Sequence, residues 1–184
     1  MSIYEKKLLD IRRLKNNMQL SKNFSLAELT KSQTAERMGL DNNPSEGEVE
    51  NLRLLCERVL QPVRDHFNKV VTISSGYRNE VLSQKIGSSS KSQHCKGMAA
   101  DFEIFSVPNN EVSDWIKENL MFDQLILEYW KPGSGNENSG WIHCSYNSEV
   151  NANRKEYLMV IKNPETGKTE YKPILGLSTD RYVK

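Results

Sequence analysis

The stretch Ser92-Gln93-His94-Cys95-Lys96-Gly97-Met98-Ala99-Ala100-Asp101 constrains this chain most, together with Trp141-Ile142-His143-Cys144-Ser145-Tyr146 further on. His94, Asp101 and His143 make a two-histidine, one-carboxylate set. Such a set is a three-ligand shell for a catalytic zinc ion, with a fourth position left for water. The chain has 3 histidines in all, and all but His66 belong to this set. For the three side chains to meet, a loop and two strands must converge. Gly97 lets the backbone turn sharply, and Ala99 and Ala100 are small enough for close approach. Asp101 opens the apolar run Phe102-Glu103-Ile104-Phe105, which reads as a strand. His94 is therefore expected on a loop facing a strand that carries Asp101, with His143 on a second strand. The same donor set suits iron, manganese or cobalt; zinc is the expectation adopted.

The rest of the chain supplies helices and hairpins around that centre. Ser25 with Glu28, and Ser45 with Glu48, are capping-box pairs that start helices. Val49, Leu52, Cys56, Val59, Leu60, Val63 and Phe67 repeat at helical spacing, and Pro62 is expected to bend that helix late. His66 falls near its C-terminus, where a cation is favoured, so a structural role is expected for it. Val70–Ser75 is a β-branched strand, and Gly76-Tyr77-Arg78-Asn79 turns out of it. Glu80–Ile86 and Asn109–Leu120 read as helices. Phe122–Trp130 and Trp141–Tyr146 read as a hairpin with a long Gly-rich tip, and 157–161 with 169–174 as a last hairpin. Helices interleaved with antiparallel hairpins predict an α+β fold, with a central antiparallel sheet carrying the metal site and helices flanking it.

The order Ser-Gly-Tyr-Arg (75–78), then Ser-x-His-x-x-Gly-x-Ala-x-Asp (92–101), then Trp-x-His (141–143) resembles the zinc D-alanyl-D-alanine carboxypeptidase family. That family has D-Ala-D-Ala dipeptidases and phage L-alanyl-D-glutamate endopeptidases as relatives, and a Hedgehog-like zinc peptidase fold. The resemblance covers residues 45–175 or so. It implies zinc, a peptidoglycan stem peptide containing D-amino acids as substrate, and cleavage as carboxypeptidase or endopeptidase. It also implies that Arg78 meets a substrate carboxylate or a developing oxyanion, a task suited to a planar guanidinium fork. In the dipeptidases the catalytic base is an acid three residues before the last histidine. Here that position is Gly140, a departure from the pattern.

The residues then offer a different base. Glu128 ends the strand Leu125-Ile126-Leu127-Glu128, and an acid there is costly unless it faces a polar site. Glu128 is the expected base, with Asp123 next; a solvated strand end is the bland alternative for Glu128. Ser92 and Gln93 are placed to bond substrate or to orient His94. Tyr77 and Trp141 are expected to line the cleft, with burial in the core as the competing reading for Trp141.

Charge and composition narrow the function classes. A net charge of +1 argues against a nucleic-acid partner. No apolar run is long enough to span a bilayer. Residues 1–20 place Tyr4, Leu8, Ile11 and Met18 at helical spacing among basic residues. This reads as an amphipathic helix that docks on its own domain, a partner subunit or a virion, rather than as a signal peptide. Synthesis in the cytoplasm is expected, with action on the cell wall after lysis-type release or from within a virion. Cys56, Cys95 and Cys144 are an odd count and are expected as packed thiols, with metal ligation by Cys95 and Cys144 as the alternative. Cys144 should point to the face opposite His143, which makes a Cys144–His143 nucleophilic pair a poor one.

The expected organisation is an N-terminal extension at 1–22, a zinc peptidase domain at 23–176 and a tail at 177–184. The expected function is zinc-dependent hydrolysis of amide bonds in peptidoglycan stem peptides by a phage lysis or virion-associated enzyme. The rival is a non-catalytic, zinc-containing module of a phage particle.

Overall fold

Strands form where β-branched and apolar residues run together, and pairing by pleat places the site. The computed structural model describes residues 18–131, 135 and 138–174. It contains β1 (Val71–Ser75), β2 (Ala99–Ile104), β3 (Gln124–Glu128), β4 (Trp141–Ser145), β5 (Glu156–Lys162) and β6 (Thr169–Pro173). They form one sheet in the order β1-β2-β4-β3-β5-β6. The fold is α+β, as expected, and the sheet is antiparallel except for one pair. β3 and β5 run parallel, because the 146–155 connection carries the chain past β3 before β5 begins. The two expected hairpins are β3–β4 and β5–β6.

Alternation along the strands separates core from site. Phe102, Ile104, Leu125, Leu127, Ile142 and Cys144 face the main core. The intervening residues Asp101, Ile126, Glu128, Trp141 and His143 line a cleft on the opposite face. Register brings them level: Asp101 lies opposite His143, His143 opposite Ile126, and Trp141 opposite Glu128. Cys144 is fully buried in the core, and all three cysteines are buried free thiols.

The α-helices of the described residues are α1 (Leu26–Thr30), α2 (Gln33–Met38), α3 (Glu46–Leu55), α4 (Gln61–Phe67), α5 (Glu80–Lys85) and α6 (Asn109–Asn119). Four of these six, α1, α3, α4 and α6, contribute to the main core. Both halves of the capping box form at Ser45. At Ser25 the hydroxyl accepts from the Glu28 N–H. Near Pro62, where a bend is expected, the structure shows a widened turn. Residues Cys56–Leu60 make a π turn between α3 and α4, and the Gln61 N–H donates to the Cys56 carbonyl. A proline ring crowds the carbonyl one turn back, and widening the helix immediately upstream relieves that contact. His66 stacks on Trp115 with ring centroids 4.2 Å apart, a packing role away from the cleft.

The core reaches back to Leu20 and Phe24, both about 1% exposed. Most of the helix expected over 1–20 lies outside the described residues. No described helix is long and apolar enough to cross a membrane.

Candidate active site

His94 sits on a single 3-10 turn, Gln93–Lys96, capped by the Ser92 hydroxyl and closed by Gly97 in the left-handed region at φ 68°. A Cβ at Gly97 would stand 2.4 Å from the Glu48 carbonyl oxygen, so the turn needs glycine both for its angle and for its fit. The His94 Nδ1–H donates to the Gly76 carbonyl at 2.7 Å. That bond leaves Nε2 with a bare lone pair aimed at Asp101 and His143.

Asp101 Oδ1 lies 2.8 Å from His143 Nδ1 and 3.3 Å from His94 Nε2, and the two imidazole nitrogens are 3.3 Å apart. Zinc bonds of about 2.0–2.1 Å at a tetrahedral angle would put ligand atoms roughly 3.3 Å apart. The three donors therefore fit a zinc ion in spacing as well as in kind, and they form a buried group able to hold a metal. The electrostatics agree. Burial pushes the His94 pKa down, against the pull of Asp101. Burial alone would raise the Asp101 carboxyl. The two histidines outweigh it and hold Asp101 well below the usual carboxylate range. Neutral imidazole and ionised carboxylate are the states a metal requires.

Glu128 faces the same cleft, a concavity of about 950 Å³ that also includes Arg78, Ser92, Gln93 and Trp141. Burial raises the Glu128 carboxyl above its ordinary value, with the Asp101 charge adding to that. A raised proton affinity suits a proton acceptor. Arg78 stands at the rim of the metal set, its Nη1 donating to Ser75 Oγ at 2.6 Å and lying 3.6 Å from Asp101 Oδ2. Its Nε is buried with no hydrogen-bond partner.

The position three residues before His143, Gly140, has a structural reason to be glycine. Its φ is 70°, and a Cβ there would fall 1.8 Å from the Glu128 carbonyl oxygen. No side chain fits at 140 while β3 and β4 keep this register. Gly140→Ala is expected to cost at least about 3 kcal/mol of stability, measured by urea unfolding.

Asp123, the second candidate base, is committed elsewhere. Arg154 grips it through Nε at 2.7 Å and Nη2 at 2.8 Å, and Gln93 Nε2 donates to it at 2.7 Å. The Arg154 bonds hold the Asp123 carboxyl below its ordinary value of 3.8. A lowered pKa in the folded state adds stability above pH 3.8 that is lost as pH falls through the lower folded value. Arg154→Gln should therefore cost about 1 kcal/mol at pH 7, a modest figure because Arg154 is half exposed. Urea unfolding of variant and wild type should converge once the medium is acid enough to protonate Asp123.

Tyr77 is not brought into the cleft. It is buried in the core with its hydroxyl toward Glu48. Trp141 is half-buried, and its ring lies 5.4 Å from that of Tyr129. Sequence reasoning missed Ile126, Tyr129, Arg154, Thr169 and Tyr171, which also line the cleft. The alternation that places Glu128 also reaches Ile126. No local pattern marks the others.

A family model described as Peptidase M15 matches residues 22–145. A search of curated proteins finds no match. The matched span ends with β4, so Arg154, Thr169 and Tyr171 reach the cleft from beyond it.

Proposed function

The chain belongs to the peptidase M15 family, and on that premise, which makes it a zinc peptidase for peptidoglycan-type substrates, we propose that it hydrolyses amide bonds in stem peptides containing D-amino acids. The observation that carries the reading is Glu128 on the same cleft wall as His94, Asp101 and His143. An amide hydrolase needs an activated water, a proton acceptor and a donor for the charge that develops on the carbonyl oxygen.

His94, Asp101 and His143 would hold zinc in this reading. When bound, the ion supplies Lewis acidity that makes water more acidic and polarises a carbonyl. Glu128 takes the proton from the attacking water and delivers it to the leaving amine. Arg78 supplies the fixed positive charge beside the scissile group, and its placement is set by the Ser75 hydroxyl. Gln93, held by Asp123, and Ser92 shape the approach to His94, and Trp141 forms the apolar wall on which a side chain of the peptide rests.

The finer reading is an enzyme of phage lysis or of a virion that opens the wall. Residues 1–22 act as a docking extension, 23–176 as the peptidase domain and 177–184 as a tail, with the core reaching into the first of these at Leu20. Digestion of purified peptidoglycan followed by mass analysis tests the proposal. The expected result is released stem-peptide fragments that vanish with chelator, their masses naming the bond. Fragments unaffected by chelator, or cut within the glycan, would contradict it.

A further inference from the structure

We propose that a second cavity, which shares Arg78 and Ile86 with the cleft, is an anion subsite that binds a carboxylate of the peptide substrate on Lys31 and Arg37; the proposal rests on the peptidase reading above. The cavity, about 460 Å³, lies between α2 and the open edge of β1. Its charged lining is Lys31, Arg37 and Arg78, with no Asp or Glu, and Ser32, Ser74 and Ser75 are among its neutral polar lining residues.

Two observations point to an anion. First, neither Lys31 nor Arg37 forms an ion pair with a carboxylate among the described residues. Surface cations are usually solvated singly, but here they converge on a concavity without a counter-charge. Second, Arg37 Nε is tied to the Gln33 carbonyl at 3.3 Å, which steadies the side chain and leaves its terminal nitrogens available.

Arg78 and Ile86 line both this cavity and the cleft. A peptide that occupies the cleft and continues past Arg78 thus enters the cationic cavity. The edge position of β1 leaves room for an extended chain there. Stem peptides carry free carboxylates, and a carboxylate is the group that paired guanidinium and ammonium donors recognise. The subsite would sort substrates by whether that carboxylate is free or amidated.

The test uses synthetic stem peptides in which each carboxylate in turn is replaced by a carboxamide. Their affinities are measured by calorimetry on the full chain carrying Glu128→Gln, so that peptide is not consumed. One replacement is expected to weaken binding roughly five- to tenfold, as for loss of a charge-assisted contact at a half-open site. Adding Lys31→Gln and Arg37→Gln should abolish that discrimination. Both residues are exposed, so the fold should survive, and unchanged thermal unfolding would establish that. Equal binding of all peptides, no binding of any, or discrimination that persists in the double variant would overturn the subsite. The two readings fail separately. Charge-selective binding without hydrolysis by the wild type would sink the peptidase reading and keep the subsite. Hydrolysis with no carboxylate preference would do the reverse.

Discussion

Glu128→Gln is expected to lower kcat on a stem peptide by about 10²–10⁴-fold while bound zinc and KM stay nearly unchanged. The amide keeps the size and shape of the carboxylate and removes only its ability to take a proton. Glu128 is placed by backbone pairing opposite Trp141, so the substitution should leave β3 and β4 in register. It is also not a member of the three-residue group able to hold a metal, so zinc should remain. The split between a lost kcat and a retained KM separates a proton acceptor from a residue that merely binds substrate. A variant that keeps more than about a tenth of wild-type kcat would remove Glu128 from the chemistry, because general-base losses are larger than that. Asp123 would not then replace it, since Arg154 and Gln93 already occupy both of its oxygens.

His94→Ala is expected to lower zinc affinity by more than about 100-fold, beyond the effect of losing an outer-shell partner, and to bring hydrolysis down to the level of chelator-treated enzyme. His94 offers the Nε2 lone pair only because its Nδ1–H is held by Gly76. Removing the ring leaves Asp101 and His143 still paired at 2.8 Å, too few donors for a tight catalytic site. The 3-10 turn depends on Ser92 and Gly97 rather than on the imidazole, so the fold should be retained. Metal analysis after dialysis, read beside thermal unfolding with and without added zinc, checks this. Wild-type melting should rise with zinc and the variant's should not, since a ligand stabilises only the state that binds it. Zinc retained by His94→Ala at wild-type affinity would place the metal elsewhere.

Much of the site was legible because it rests on short-range rules. Strand alternation put Cys144 behind His143, the cost of an acid ending an apolar strand pointed Glu128 toward a polar site, and the glycine turn explained how His94 reaches the other ligands. The helix from Ser45 followed from its capping box and apolar spacing. What escaped the sequence depends on contacts between distant segments. The π turn at Cys56–Leu60 arises from how Pro62 fits within an already packed helix. The parallel pairing of β3 with β5 needs the path of the 146–155 connection, which no residue pattern encodes. Arg154 and Tyr171 enter the cleft only because that pairing brings the last hairpin alongside β3. Tyr77 is expected in the cleft, yet the backbone turns it inward. The Gly76 position explains this: a Cβ there would lie 2.2 Å from the Leu29 carbonyl oxygen, so α1 sits directly on this turn and covers Tyr77.

The central claim is that one zinc ion at His94, Asp101 and His143 makes this cleft a peptidase. The most direct measurement is a titration of metal-free protein with zinc, following bound metal per chain and the rate of stem-peptide hydrolysis in the same samples. The account predicts that hydrolysis rises in proportion to bound zinc, levels off at about one ion per chain as expected for a single three-ligand site, and is absent from His94→Ala throughout. A chain that fills its site with zinc and releases no fragment from any of several walls would contradict it, and would make this a zinc-containing binding module instead.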